Sequence, residues 1–138
     1  MNERIMIVDD DPAVRYTVQE VLRGANLSAI AVESGRACLE ELRNGFRGVI
    51  LLDIMMPEMD GWDTLEAMKR EGLSEGNIVC MLTAVISPSA ELETLKDDVL
   101  DYVRKPFDPD GLIATAKEYL SYLRTVPEGD GYEGEDKA

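Results

Sequence analysis

Carboxylate, hydroxyl and amino side chains follow four of the short apolar runs in this sequence. Asp9 and Asp10 come directly after the first run, Asp53 after the third, Thr83 after the fourth, and Lys105 shortly after the fifth. The sequence contains no histidine, which excludes Ser-His and Cys-His nucleophile pairs and histidine metal sites. Any chemistry therefore uses carboxylates, hydroxyls, lysine and metal.

If these runs end at one place in the fold, the side chains predict a phosphoryl-transfer site. Crowded carboxylates repel one another unless a positive charge lies among them, and Mg²⁺ prefers oxygen ligands of this kind. The Lys105 ammonium can bind phosphate, and the Thr83 hydroxyl can donate to a phosphate oxygen. Asp53, alone at the end of its run, suits the role of carboxylate nucleophile.

Each residue also has an ordinary interpretation when it is taken singly. The acids at 9–11 can cap a helix, which is the role we assign to Asp11. Thr83 can be a polar residue at a strand end, and Lys105 a solvated surface charge. Only their convergence at the ends of several strands favours the chemical interpretation.

The elements that position these residues follow from hydrophobic periodicity. Apolar runs alternate with amphipathic stretches, which is typical of a parallel sheet connected by helices. The predicted strands are 4–8, 27–32, 48–52, 78–82 and 99–103, and the predicted helices are 12–23, 35–45, 61–71, 88–97 and 109–124. In such a sheet the carboxyl ends of all strands lie at one edge, where these folds bind ligands.

The composition of the strands predicts their order. The first, third and fourth are apolar without interruption, as expected of strands covered on both faces. The second includes Ser28, and the fifth includes Asp101 and Tyr102, which suits edge positions. With right-handed crossovers, the predicted order is 2-1-3-4-5.

Three helix starts share one capping device. Asp11-Pro12, Ser87-Pro88 and Asp108-Pro109 each place a side-chain oxygen before a proline. The oxygen can accept from an unpaired backbone N–H, and proline at the first helical position lacks a donor that would otherwise be unsatisfied.

Length and charge narrow the class of protein. The 138 residues suit one domain, and the formal charge of −14 does not favour nucleic-acid binding.

Cys38 and Cys80 are expected to be buried free thiols in a reducing compartment. Without a signal peptide or a long apolar span, we expect a cytoplasmic protein that does not enter a membrane. Residues 125–138 are expected to form an acidic, flexible tail after a domain at 1–124.

Four segments carry a clear resemblance to a known family. They are IVDD at 7–10, LDIMMPEMDG at 52–61, LTA at 82–84 and YVRKPF at 102–107. Their types and spacing resemble the CheY-like receiver domain of two-component response regulators, over about residues 3–124. The resemblance implies a flavodoxin-like, doubly wound (βα)5 fold.

The resemblance also implies a role for each site residue. Asp53 would accept a phosphoryl group from the phosphohistidine of a sensor histidine kinase or a phosphotransfer protein. Asp10, Asp53 and the Met55 backbone carbonyl would ligate Mg²⁺, with Asp9 helping mainly through water. Thr83 and Lys105 would bind the phosphoryl oxygens, and the Lys105–Pro106 peptide would be cis. On phosphorylation Thr83 would move inward and Tyr102 would move with it, which would remodel the face made by 88–97, 99–103 and 109–124.

The sequence departs from the family pattern at two places. Met55 and Val85 are apolar where many relatives have a polar residue that manages the water attacking phosphoaspartate, so we expect slow autodephosphorylation. Residues 96–100 replace the Ala-Gly-Ala-like turn that many relatives carry before the fifth strand. We interpret this as a loop difference on the partner-binding face.

Rival functions fit less well. A haloacid-dehalogenase-like phosphatase would need a second aspartate where this sequence has Met55. An EF-hand loop that starts at Asp9 would need an acid and a glycine where the sequence has Ala13 and Val14. A flavodoxin-like cofactor site would need a phosphate-binding loop after the first strand, where acids stand instead. We therefore predict a stand-alone phosphorylation switch without an output domain, which is not an enzyme on an external substrate and whose effector protein is unknown. A phosphorelay intermediate and a phosphate-independent interaction domain are the alternatives.

Overall fold

Five parallel strands form one sheet in this computed structural model, which describes residues 4–84 and 99–125. They are β1 (Ile5–Val8), β2 (Ala29–Val32), β3 (Val49–Asp53), β4 (Ile78–Thr83) and β5 (Asp101–Arg104). The order across the sheet is β2-β1-β3-β4-β5, so the predicted order and the predicted α/β fold are confirmed.

Four helices are described. They are α1 (Pro12–Arg23), α2 (Gly35–Arg43), α3 (Gly61–Arg70) and α4 (Pro109–Thr125), the last of which corresponds to the fifth predicted helix. The predicted helix at 88–97 and its Ser87-Pro88 start lie outside the described residues, as do residues 96–98 of the unusual loop and the tail from 126 onward.

Two of the predicted proline-preceding caps are confirmed. The Asp11 carboxylate accepts a hydrogen bond from the Ala13 amide at 2.9 Å, and Pro12 is the first residue of α1. The Asp108 carboxylate accepts from the Gly111 amide at 2.8 Å, and Pro109 begins α4. Each cap thus fixes the start of a helix that follows a strand end.

The core consists of two apolar clusters, one on each face of the sheet. Successive strand residues point to opposite faces, so β1 contributes Met6 and Val8 to one cluster and Ile5 and Ile7 to the other. Helices α2 and α3 cover the first face, and α1 and α4 cover the second. The sheet is therefore the middle layer of three.

Burial along the strands confirms which of them are central. Every residue of β1, β3 and β4 is buried, whereas β2 is buried only at its ends and β5 at none of its residues. Unbroken apolar runs therefore identified the strands that are covered on both faces.

Several boundaries differ from the predictions. Helix α2 ends at Arg43, not at 45, because Gly45 takes a positive φ of 106° and the Phe46 amide turns back to bond the Glu41 carbonyl. Asn26, also at positive φ, delays β2 to Ala29. Strand β5 begins at Asp101, two residues later than predicted.

The two cysteines are buried, free and on opposite faces of the sheet, as the prediction of free thiols requires. Burial raises the pKa of both the Cys38 and the Cys80 thiol to about 12. No helix among residues 4–84 and 99–125 has the length and apolar character needed to cross a membrane.

We predict that Gly48→Ala destabilises the entry to β3. A Cβ atom at Gly48 would lie 2.2 Å from the Arg4 carbonyl oxygen, which must stay in place to accept from the Val49 amide. Urea unfolding should show a loss of about 1–3 kcal/mol. The control is Gly24→Ala, because Gly24 already has helical φ of −61° and room for a methyl group. It should be neutral or stabilising by about 0.5 kcal/mol, and equal losses in both variants would contradict the steric explanation.

Candidate functional site

The predicted site residues meet at the carboxyl edge of the sheet. Asp9 follows β1, Asp53 ends β3, Thr83 ends β4 and Lys105 follows β5. The backbone extends the strand pairing through these positions, because the Lys105 amide donates to the Thr83 carbonyl at 2.8 Å. Parallel register thus brings together residues that are far apart in sequence.

Lys105 connects the two buried carboxylates of the site. Its Nζ lies 2.7 Å from Asp9 Oδ2 and 3.3 Å from Asp53 Oδ1. Burial lowers the Lys105 pKa, but the hydrogen bond to Asp9 and the charges of Asp53 and Asp9 outweigh it, so the net direction is upward. The ammonium is therefore charged and shared between the two acids at neutral pH.

Asp9 is fixed through all of its polar groups. Its side chain accepts from the Asp11 amide at 2.9 Å in addition to Lys105, its amide donates to the Val32 carbonyl at 3.2 Å, and its carbonyl accepts from Arg15. The residue is fully buried. Since both carboxylate oxygens already have partners, Asp9 suits an indirect contact with a metal better than a direct one.

Asp53 lies where negative charge exceeds positive charge. Burial and the Asp9 carboxylate raise its pKa to about 6, although Lys105 and the Met55 amide act in the opposite direction. The Met55 amide donates to Asp53 Oδ1 at 3.3 Å. One lysine thus compensates only part of the charge at this position.

Asp9, Asp10 and Asp53 form a group of carboxylates that a cation can join. One carboxylate oxygen of each lies within 4.8 Å of the others. In an octahedral Mg²⁺ shell, ligand oxygens lie about 3–4 Å apart. These three residues therefore fit Mg²⁺ with a small inward shift of their side chains or with a water between the ion and one acid.

The loop that follows Asp53 is closed at its base. The Ile54 amide donates to the Leu82 carbonyl at 3.1 Å, and the Ile54 carbonyl accepts from the Gly61 amide at 2.8 Å. A Cβ atom at Gly61 would lie 2.6 Å from the Asp53 carbonyl oxygen, so this approach requires glycine. The loop holds the Met55 backbone beside the acceptor carboxylate while the Met55 side chain is 75% exposed.

The two residues of the implied switch lie on neighbouring strands. Thr83 is buried at the end of β4, opposite Arg104 of β5. Tyr102 pairs with Met81, packs against the cluster on the α2/α3 face, and has a buried hydroxyl. Burial raises the pKa of this phenol. The Lys105–Pro106 peptide is cis, in agreement with the family resemblance.

Two further residues contribute to the site: Arg15, which had no sequence signal, and Gly61, which the sequence marks only as the last residue of the 52–61 motif. Arg15 donates to the Asp9 carbonyl at 2.8 Å, a side-chain to backbone contact that leaves no periodic signal. Gly61 gave a weak signal, because a glycine at the first position of a helix has no propensity advantage there. Val85 of the predicted dephosphorylation pair lies outside the described residues.

Comparison with known proteins identifies this arrangement. The model of the response regulator receiver domain family matches residues 5–117. A CheY-like response regulator receiver domain protein from Methanospirillum hungatei JF-1 superimposes with a TM-score of 0.84 at 43% identity, over 90% of this chain and 98% of that one. Chemotaxis protein CheY4 of Vibrio cholerae gives a TM-score of 0.75 at 26% identity, over 87% and 100%.

Longer regulators share the same domain. The transcriptional regulatory protein ZraR of Escherichia coli strain K12 is 36% identical over 91% of this chain, and the DNA-binding response regulator MtrA of Mycolicibacterium smegmatis is 32% identical over 87%. The chain spans 28% of the first relative and 51% of the second. The resemblance inferred from four short motifs is thus confirmed over most of the sequence: the chain belongs to the response regulator receiver domain family, the phosphorylation-dependent signalling domains of two-component systems.

Proposed function

We propose that Asp53 is the phosphoacceptor of this receiver domain and that Mg²⁺ binds beside it. The observation that carries the proposal is the convergence of Asp9, Asp10 and Asp53, with oxygens within 4.8 Å, around a lysine that contacts two of them. The direct metal ligands would be Asp10, Asp53 and the Met55 carbonyl. Asp9, already bonded through both carboxylate oxygens, would act mainly through water.

The proposed reaction is an in-line phosphoryl transfer. A carboxylate oxygen of Asp53 attacks the phosphorus atom of a phosphohistidine, a P–O bond forms as the P–N bond breaks, and the imidazole leaves and takes up a proton. Mg²⁺, when bound, neutralises charge on the transferring phosphoryl group. Asp53 is buried, so little water reaches its carboxylate.

Lys105 and Thr83 would bind the phosphoryl oxygens once the acceptor is modified. The Lys105 ammonium is held in the site by ion pairs, so it can exchange a carboxylate oxygen for a phosphoryl oxygen. Thr83 is buried at the end of β4, the strand next to β5, and its carbonyl accepts a hydrogen bond from the Lys105 amide. A shift of either residue would therefore move the β4–β5 edge.

The output of the switch would pass through Tyr102. Its ring packs on the edge of a core cluster and its hydroxyl is buried, so a change of rotamer would expose or cover part of β5. The surface concerned comprises β5, α4 and the segment at 88–97, which lies outside the described residues. The simpler alternative is that Tyr102 is a half-buried aromatic residue of an edge strand and has no role in signalling.

The proposed partners are a sensor histidine kinase or a phosphotransfer protein as donor, and an effector protein of unspecified identity. A phosphorelay intermediate would use the same chemistry, and a phosphate-independent interaction domain would not need the complete acid, threonine and lysine set. We propose that the receiver domain comprises residues 1–124 and that residues 125–138 are a tail.

Two free, buried thiols suit a reducing compartment, and we propose a cytoplasmic location.

We predict that incubation with Mg²⁺ and a small acyl phosphate adds one phosphoryl group to the protein. Intact-mass spectrometry should show the addition in the wild type and none in Asp53→Asn, whose amide is a poor nucleophile. Glu58→Gln, an exposed carboxylate of the same loop, is the matched control and should be modified normally. Equal modification of wild type and Asp53→Asn would sink the assignment.

A second prediction concerns stability and metal. In buffer without divalent ions, Asp53→Asn should unfold at a higher temperature than the wild type, because it removes a buried charge that burial and Asp9 disfavour. Adding Mg²⁺ at ten times its Kd should stabilise the wild type by about 1.4 kcal/mol. Asp53→Asn should gain clearly less, and an equal gain in both proteins would exclude Asp53 as a ligand.

A third prediction concerns the lifetime of the phosphoryl group. Met55 has no polar side-chain atom near the acceptor that could orient an attacking water, so hydrolysis should be slow. Loss of radiolabel from phosphorylated protein should be faster in Met55→Asn with Val85→Glu than in the wild type. Met55→Leu with Val85→Ile controls for the substitutions themselves, and unchanged loss in the polar variant would show that the idea is wrong.

A further inference from the structure

Arg15 reaches from α1 to the backbone of the acidic site. Its Nη1 donates to the Asp9 carbonyl oxygen at 2.8 Å in a partly buried position. Arg15 lies in the second turn of α1, where its own amide donates to the Asp11 carbonyl at 3.1 Å. The side chain therefore spans the turn that connects β1 with α1, and it is anchored at both ends.

The Asp10 side chain has no comparable support. Within residues 4–84 and 99–125, the structure contains no hydrogen bond or ion pair to the Asp10 carboxylate, which is exposed. Asp9, in contrast, is held through its amide, its carbonyl and both carboxylate oxygens. The direction in which Asp10 projects depends on the backbone that precedes it.

The contact with Arg15 fixes that backbone. The Asp9 carbonyl and the Asp10 amide belong to one planar peptide unit, so holding the oxygen also orients the Asp10 Cα. A rotation of this peptide would swing the Asp10 carboxylate away from Asp9 and Asp53, whose oxygens it now approaches within 4.8 Å. A bond to the carbonyl opposes that rotation.

Resting on the proposed Mg²⁺ site, we propose that Arg15 is a positioning residue, which orients Asp10 for the metal by holding the Asp9 carbonyl. It touches neither the phosphoryl group nor the ion in this role. Removal of a group that orients a metal ligand costs roughly tenfold or more in metal affinity.

The charge of Arg15 and its proposed positioning role predict opposite effects of its removal on Mg²⁺ affinity. A positive side chain near a cation site repels the cation, so its removal should strengthen Mg²⁺ binding if charge were its only contribution. If Arg15 positions Asp10, its removal should weaken binding. The sign of the change therefore separates the two explanations.

The test is a calorimetric titration of the unphosphorylated chain with Mg²⁺ at fixed ionic strength. We expect Arg15→Met to raise the Kd about tenfold. The control is Arg23→Met, which removes the same charge from the exposed last turn of the same helix and should leave the Kd within about twofold of the wild type. Arg15→Gln, whose shorter side chain stops short of the Asp9 carbonyl, is the second variant and should weaken binding in the same direction if Arg15→Met does not fold.

A double-mutant cycle identifies the residue through which Arg15 acts. In an Asp10→Asn background, Arg15→Met should change the Kd by less than about twofold, because the ligand that it orients is gone. In reactions with acyl phosphate, Arg15→Met should raise the Mg²⁺ concentration needed for half-maximal phosphorylation about tenfold. The rate of phosphorylation at saturating Mg²⁺ should stay within about twofold of the wild type.

Each outcome bears on one proposal only. A wild type that neither binds Mg²⁺ nor gains a phosphoryl group overturns the proposed function. A wild type that does both, together with tighter or unchanged Mg²⁺ binding in Arg15→Met, overturns the positioning role alone. Equal effects of Arg15→Met with and without Asp10 would also overturn it.

Discussion

Crowding of carboxylates at the carboxyl edge of the sheet is the constraint on which the rest of this structure depends. Asp9 and Asp53 are buried, and Lys105 supplies one positive charge between them. Burial and the neighbouring acid raise the pKa of Asp53 to about 6, because this single positive charge offsets them only in part. Further positive charge at this edge would therefore be stabilising, and the carboxylates would move apart if the backbone between them were free to relax.

The fold prevents that relaxation by joining each strand end to its neighbour. The Asp9 amide bonds the Val32 carbonyl, the Ile54 amide bonds the Leu82 carbonyl, and the Lys105 amide bonds the Thr83 carbonyl. These bonds continue the parallel ladder just past the strands and hold the backbone where the side chains of Asp9, Asp53 and Lys105 meet. Apolar packing on both faces of β1, β3 and β4 then stabilises a charged edge that has little stability of its own.

The sequence predicted what depends on periodicity and on residue type at strand ends. Unbroken apolar runs identified the central strands, and the position of Asp53, Thr83 and Lys105 after such runs identified the edge at which they meet. Local backbone geometry was less predictable. The register pairs Cys80 with Asp101, so β5 begins two residues later than its apolar run, and α2 ends before Gly45, whose φ is positive. Arg15 could not be predicted, since a bond from a side chain to a backbone carbonyl follows no repeating pattern.

The two halves of the edge differ in how firmly they are held, and this difference bears on where a signal would travel. On the β1 side, Asp9 is bonded through backbone and side chain, and Arg15 ties the turn to α1. On the β5 side, Lys105 is held by ion pairs, β5 has no fully buried residue, and the Tyr102 ring packs only at the margin of the core. Negative charge added at Asp53 would attract the Lys105 ammonium and change its ion pairs before it displaced Asp9, which has four hydrogen-bonded groups. Movement that begins at Asp53 would therefore propagate toward β5 and α4, while the β1 side keeps its geometry.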